Sequence, residues 1–96
     1  MITVMVEIKM KSEHLDEFRE FMKTGVQHAR DFEGCELVEA FEDEDNTGAF
    51  LFREIWTDRA AQERFAAAGH ESGEFAFLTE WMASPPVIRY LNGLDV

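Results

Sequence analysis

One stretch of this chain alternates like a β-strand yet is apolar on both of its faces, and this feature constrains the fold most. In residues 49–57, AFLFREIWT, Phe52 and Trp56 share one face, because residues two apart on a strand point the same way. Leu51 and Ile55 lie on the other face. A sheet that contains such a strand needs cover on both sides.

The remaining sequence supplies three further strands and three helical segments. Strands are predicted at residues 2–10, 35–42, 49–57 and 87–91. Helices are predicted from an N-cap at Ser12 to a stop at Gly34, from a cap at Thr57 or Asp58 to a stop at Gly69, and over residues 71–84 before Pro85 and Pro86. The order β-α-β-β-α-α-β predicts one α+β domain spanning residues 1–96. Its fold is the ferredoxin-like split βαβ, a four-stranded antiparallel sheet with helices on one face.

The sheet face that the helices leave open should be polar, but in this chain it carries apolar side chains. Such a patch marks an interaction site, and a second copy of the chain can cover it by two-fold symmetry. We therefore expect a homodimer packed sheet to sheet, in a dimeric α/β barrel. The polar exceptions on the sheet faces are Arg53, Glu7 and Glu39, and some of them should pair across strands.

Charge and composition exclude several partners. A formal net charge of −11 argues against nucleic acid and against an anionic membrane surface. No apolar run is long enough to span a bilayer, and the N-terminus lacks the order of a signal peptide. The single cysteine, Cys35, cannot form an internal disulfide, so a cytoplasmic location is expected.

No metal or nucleotide site is predicted. The acidic turn at residues 42–45 is too short for a calcium loop, which needs ligands at alternate positions and a late bidentate glutamate. No His/Cys spacing indicates zinc, and no glycine-rich loop indicates a bound phosphate.

Glu54 is the polar exception on the face of Phe52 and Trp56. It is either a proton acceptor whose pKa is raised by apolar neighbours, or half of an ion pair with Arg53, Arg89 or a basic residue of a partner chain. Trp56 is likewise either a pocket wall or a core residue. Strand alternation does not say which face meets the helices.

His70 follows Gly69 in the predicted link between the second and third helices. It is either a proton-transferring imidazole at a pocket rim or an exposed loop histidine.

Three blocks carry a resemblance to a known family: EGC at residues 33–35, FREIWTDRAAQERF at 52–65, and ASPPVIRYL at 83–91. In this order and spacing the whole chain resembles the antibiotic biosynthesis monooxygenase family of dimeric α/β-barrel proteins. The resemblance implies a monooxygenase that acts on a small aromatic or quinol-like substrate with O2, without metal, flavin or haem. The substrate would lie in an apolar pocket between sheet and helices. The predicted catalytic residues are Glu54 and His70, and the predicted substrate-binding residues are Phe52, Trp56 and Phe65.

Other branches of the family fit the sequence less well. The ending RYLNGLDV resembles isomerases of phosphorylated autoinducer-2, but those proteins carry a histidine where this chain has Phe65. Haem-degrading relatives need a histidine in the third helix and an asparagine in strand one, and the approximate counterparts here are Phe77 and Met5. Haem degradation is therefore disfavoured.

Two alternatives from other functional classes stay open. The chain could be a non-catalytic, ligand-binding or stress-associated dimer of the same fold. It could also be a structural module whose interior is filled by its own nine phenylalanines. A cavity beside Trp56, and a polar group reaching into it, would distinguish these cases.

Overall fold

The computed structural model describes residues 1–96 and has the predicted order of elements. The strands are β1 (Ile2–Lys9), β2 (Cys35–Glu42), β3 (Ala49–Trp56) and β4 (Val87–Leu91). The helices are α1 (Leu15–Asp31), α2 (Arg59–Glu71) and α3 (Leu78–Trp81). The strands form one antiparallel sheet in the order β2-β3-β1-β4 with the helices on one face, which confirms the ferredoxin-like α+β fold. None of these helices has the length and apolar character needed to cross a bilayer.

Strand register decides which side chains meet the helices. In the β1–β3 pair, Val4 lies opposite Glu54 and Val6 lies opposite Phe52, so the even-numbered residues of both strands share a face. Val4 and Trp56 on this face are fully buried. The helices therefore cover the face of Phe52, Glu54 and Trp56, which strand alternation alone did not determine.

The two predicted helix caps differ in outcome. Asp58 caps α2 as predicted, because its Oδ1 accepts a hydrogen bond of 2.8 Å from the Ala61 backbone nitrogen. Ser12 does not cap α1. It begins a single 3-10 turn, Ser12–His14, and α1 starts at Leu15 without a side-chain cap. The preceding residue, Lys11, is held extended by a 2.8 Å backbone hydrogen bond to Trp81.

Gly69 does not end α2, contrary to prediction, and the helix continues to Glu71. The glycine serves packing instead. A Cβ atom at position 69 would lie 2.1 Å from the ring of Phe75, so only glycine lets this ring lie against the helix. His70 consequently belongs to the last turn of α2 and not to a loop.

The third helix is much shorter than the predicted residues 71–84. Gly73 has a φ of +80°, which interrupts helical geometry. The Ser72 hydroxyl accepts a 3.3 Å hydrogen bond from the Glu74 backbone nitrogen, a local turn that competes with a helix. The aromatic side chains of this segment still pack against α1, since Phe75 and Phe77 both lie edge-on to Phe21.

Gly34 joins α1 to β2 at a close crossing. Its φ is +95°, and a Cβ atom there would lie 2.6 Å from the Cβ of Ala61 and 2.9 Å from the Thr57 hydroxyl. The turn before β2 therefore passes directly over the start of α2, and only glycine fits both the backbone angle and the space.

The substitution Gly34→Ala should destabilise the fold markedly more than Gly73→Ala. Both positions have positive φ, which costs alanine about 1–2 kcal/mol, but a Cβ at Gly73 meets nothing within 4 Å. Overpacking against Ala61 should cost Gly34→Ala a further 1–3 kcal/mol or so, measured by urea unfolding. Equal losses for the two variants would contradict the close crossing at Gly34.

Candidate active site

A cavity of about 210 Å³ lies between the sheet and the helices. Fifteen of the 21 residues that line it are hydrophobic. They come from all four strands, from α1 and α2, and from the segment after α2. The polar lining side chains are Glu54, Gln62, His70 and Thr79. The phenylalanines therefore do not fill the interior, and the reading of a self-filled structural module is wrong.

Glu54 is the acidic group of this cavity. It lies on β3, between Val38 of β2 and Val4 of β1, and only 8% of its surface is exposed. Its Oε1 accepts a 2.8 Å hydrogen bond from the indole nitrogen of Trp56, two residues along the same face. A buried carboxylate usually has a cationic partner, and this one has a neutral indole donor instead.

The arginines expected to pair with Glu54 lie on the opposite sheet face. Arg53 pairs with Glu39 across β2 and β3, and Arg89 pairs with Glu7 across β1 and β4. Cross-strand pairing of these polar exceptions is confirmed, and the ion-pair reading of Glu54 within the chain is wrong. Because no lysine or arginine lines the cavity, the carboxylate has no cation there.

Burial raises the pKa of Glu54 above its ordinary value, because the charged form loses hydration in the apolar interior. The hydrogen bond from Trp56 acts in the opposite direction and lowers the pKa, but burial dominates. A carboxylate in this setting is a stronger base than an exposed one once it is ionised. The position thus combines access to a cavity with enhanced proton affinity.

The cysteine near Glu54 is a poor nucleophile. Burial raises the pKa of the Cys35 thiol, and the negative charge of Glu54 raises it further. The thiolate form that nucleophilic chemistry requires is therefore disfavoured.

The structure brings four of the five predicted site residues to the cavity. Phe52, Glu54, Phe65 and His70 all line it. His70 is exposed and meets Phe75 edge-on, with ring centroids 5.8 Å apart, as expected for a rim position. Their catalytic and binding roles stay predictions.

Trp56 is placed differently from the other four. It is fully buried, it is not among the lining residues, and its ring packs against Phe65 at 5.5 Å and Phe32 at 6.3 Å. Trp56 thus reaches the cavity through its hydrogen bond to Glu54 and not through its ring.

Sequence reasoning missed two residues, Gln62 and Tyr90. The Tyr90 hydroxyl donates a 2.6 Å hydrogen bond to Gln62 Oε1, and Gln62 lines the cavity while only 5% exposed. The available signal was periodicity, because Gln62 shares the apolar face of α2 with Phe65, Ala66 and Gly69. A glutamine on such a face needs a partner.

No cluster of three or more His, Cys, Asp or Glu side chains is arranged to hold a metal ion. The polar lining side chains can accept and donate protons beside an apolar space.

Comparison with known sequences identifies the family. A sequence model of antibiotic biosynthesis monooxygenases matches residues 1–72. A protein of uncharacterised function from Synechocystis, sll1783, is 37% identical over 60 residues, which are 62% of this chain and 41% of that protein. The chain thus spans about two fifths of the length of this curated relative.

Solved structures share the fold over nearly the whole chain. A crystal structure of an antibiotic biosynthesis monooxygenase superposes with a TM-score of 0.90 at 22% identity, covering 99% of this chain and all of the other. The structure of Rv0793 from Mycobacterium tuberculosis superposes with a TM-score of 0.85 at 19% identity, covering 99% of this chain and 96% of that one. At these identities the likeness establishes the fold alone.

The stability difference between the wild type and Glu54→Gln should depend on pH. Folding favours protonated Glu54, so its contribution to stability is present below the ordinary carboxyl value of 4.5 and is lost as pH rises through the raised pKa. The glutamine keeps an acceptor for Trp56 but does not ionise. Relative to the wild type it should therefore gain stability as pH rises, by up to about 1.4 kcal/mol per pH unit within that interval.

Urea unfolding at a series of pH values measures this difference. Glu63→Gln is the matched control, because it removes the same charge from an exposed position on α2. A pH-independent difference for Glu54→Gln, or one equal to that of Glu63→Gln, would contradict the raised pKa.

Proposed function

Because the chain belongs to the antibiotic biosynthesis monooxygenase family, we propose that it uses O2 to oxidise a small aromatic or quinol-like molecule bound in the cavity. The observation that carries this proposal is Glu54, a buried carboxylate with a raised pKa and no cationic partner, at the wall of an apolar cavity. A general base needs a proton affinity raised toward the working pH and reach to the substrate proton. Glu54 has the first property and lines the space in which a substrate would lie.

The reaction begins when ionised Glu54 removes a proton from the substrate. The resulting anion is electron-rich and transfers one electron to O2, which gives a substrate radical and superoxide. These two recombine with formation of a C–O bond, and protonated Glu54 returns its proton to the peroxide. Loss of water completes the reaction, so that the substrate loses two hydrogen atoms and gains one oxygen atom. The second oxygen atom leaves as water.

This chemistry needs no cofactor, because the substrate anion itself supplies the electrons. The contribution of the protein is position, removal of water and proton transfer. Phe52 and Phe65 supply flat apolar surface on which an aromatic ring can stack. His70 lines the cavity and is exposed to solvent, which supports a role for it in proton exchange between the two.

We further propose that the working unit is a homodimer. The open sheet face carries Leu37, Leu51 and Ile55 around the two ion pairs, and Phe41 and Leu91 at its edges are 49% and 44% exposed. An apolar surface of this kind is favourably covered by the same surface of a second copy. The ion pairs are already satisfied within one chain, so their burial would leave no unpaired charge. The cytoplasmic location stays a prediction.

Glu54→Gln should lower the rate of substrate oxidation by about a hundredfold to ten-thousandfold, the usual contribution of a general base. The measurement is O2 uptake with a panel of hydroquinones and anthrones, corrected for uptake without protein. Glu63→Gln should keep the wild-type rate, because that side chain is exposed on the outer side of α2.

Wild-type uptake equal to the protein-free control over the whole panel would overturn the oxygenase proposal. If a panel member binds without O2 uptake, the non-catalytic ligand-binding protein becomes the better account. An uptake unchanged by Glu54→Gln would remove Glu54 from the mechanism.

Ile55→Lys should convert the proposed dimer into a monomer at micromolar concentration, because it places an unpaired charge on the apolar face, opposite Leu37. Light scattering coupled to size-exclusion chromatography measures the mass. Ala67→Lys, at an exposed position on α2, adds the same charge away from the sheet and should leave the mass unchanged. A monomeric wild type would contradict the dimer.

A further inference from the structure

We propose that Gln62 and Glu54 act as a donor–acceptor pair that selects an uncharged aromatic molecule with oxygen substituents on opposite sides of a ring. Tyr90 serves as a positioning residue for the Gln62 amide. This inference deepens the proposed function and rests on the same cavity, but its test measures binding and does not depend on oxidation.

The amide nitrogen of Gln62 is available inside the cavity. Its Oε1 is occupied by the Tyr90 hydroxyl at 2.6 Å, while the amide nitrogen has no hydrogen-bond partner in the protein. No fully enclosed polar side-chain atom lacks a partner, so this nitrogen retains contact with open space although the residue is 5% exposed. Because Gln62 lines the cavity, we place the donor there.

Tyr90 fixes the direction of this donor. A hydroxyl that donates to Oε1 turns the NH2 group of the amide the other way. The Tyr90 ring is itself held, because the Arg59 guanidinium lies 3.9 Å from its centroid. Tyr90 thus acts through Gln62 and does not line the cavity.

Glu54 provides the opposite partner across the sheet. Strand register places Glu54, Val4 and Tyr90 in one row across β3, β1 and β4, all facing the helices. Two strand spacings separate Glu54 from Tyr90, roughly 10 Å between Cα atoms, and Gln62 meets the Tyr90 side from α2. An acceptor and a donor therefore stand on two sides of the fully buried Val4.

The volume of the cavity and the charge of its wall limit the ligands that it can bind. About 210 Å³ is below the roughly 300–1,000 Å³ of pockets for drug-sized ligands, so a ligand of one or two fused rings fits better than a larger one. With one carboxylate and no lysine or arginine in the wall, a carboxylated or phosphorylated molecule would meet repulsion without compensation. A quinol, which has a hydroxyl proton for Glu54 and a second oxygen for Gln62, satisfies both groups.

The test is isothermal titration calorimetry under nitrogen with three probes. Naphthohydroquinone has two hydroxyl groups across one ring, naphthol has one, and naphthoate is an anion of similar shape. The wild type should bind naphthohydroquinone most tightly and naphthoate most weakly. Gln62→Met should lower the ratio of naphthohydroquinone affinity to naphthol affinity by roughly three- to tenfold, the usual worth of one hydrogen bond.

Tyr90→Phe tests the positioning role. It removes the hydroxyl but keeps the ring under Arg59 and the Gln62 amide in the cavity wall. It should lower the preference for naphthohydroquinone over naphthol. A merely structural role would weaken both probes alike, so the ratio of affinities separates the two cases.

Several outcomes would overturn the pair: no binding of naphthohydroquinone by the wild type, naphthoate binding as tight as naphthol binding, or an affinity ratio unchanged in Gln62→Met. Oxidation is judged separately by O2 uptake. If the wild type shows the predicted ratio of naphthohydroquinone to naphthol affinity but consumes no O2, the oxygenase proposal is refuted and the Gln62–Glu54 pair is supported. If the wild type consumes O2 but Gln62→Met leaves that affinity ratio unchanged, the oxygenase proposal is supported and the Gln62–Glu54 pair is refuted.

Discussion

The hydrogen bond between the Trp56 indole and the Glu54 carboxylate is the interaction on which the site depends. It is internal to β3, since the two residues lie two apart on the same strand face, and it joins the fully buried core to the cavity wall. Trp56 fixes the carboxylate without neutralising it. An arginine in place of Trp56 would hold the pKa of Glu54 low and make the carboxylate a weak base. Because the indole is neutral, burial remains the dominant effect on the pKa of Glu54, and the carboxylate can act as a proton acceptor.

Strand alternation places the buried carboxylate of Glu54 and the arginine ion pairs on opposite faces of the sheet. Even-numbered residues of β3 face the helices and include Glu54, whose carboxylate has no cationic partner in the cavity. Odd-numbered residues face away and include Arg53, which is paired with Glu39. Because neighbouring residues on a strand point to opposite sides, Arg53 and Glu54 are adjacent in sequence yet cannot meet. No lysine or arginine therefore lines the cavity, although α1, β3, α2 and β4 all carry arginines.

Much of the fold followed from the sequence, because hydrophobic period and turn residues are local signals. The four strands, the sheet topology and the Asp58 cap were predicted in this way, and strand alternation also placed Glu54 with Phe52 and Trp56. The errors came from tertiary contacts that local patterns do not contain. Gly69 was read as a helix stop, whereas the Phe75 ring requires it for packing. The helix expected at residues 71–84 is interrupted at Gly73, whose φ is +80°, and only Leu78–Trp81 is helical.

The sequence predicted several of the residues that belong to the site, but not how their side chains are arranged. Glu54 and His70 were named from residue type and family resemblance, whereas the direction of Glu54 required the register with Val4. Tyr90 and Gln62 are 28 residues apart in sequence, so their hydrogen bond could not be read from spacing. A glutamine on the apolar face of α2 needs a hydrogen-bond partner. Only the fold shows that β4 supplies this partner, the Tyr90 hydroxyl.

The central claim is that Glu54 is a buried carboxylate whose pKa is raised because no cation compensates its charge. NMR titration of glutamate side chains labelled with ¹³C at the carboxyl carbon measures this pKa directly, with Glu54→Gln assigning the resonance. The account predicts a midpoint above the ordinary value of 4.5 for Glu54. For Glu42 it predicts a midpoint below 4.5, because the Gly48 backbone nitrogen and Arg19 stabilise that charge. A Glu54 midpoint at or below 4.5 would contradict the account.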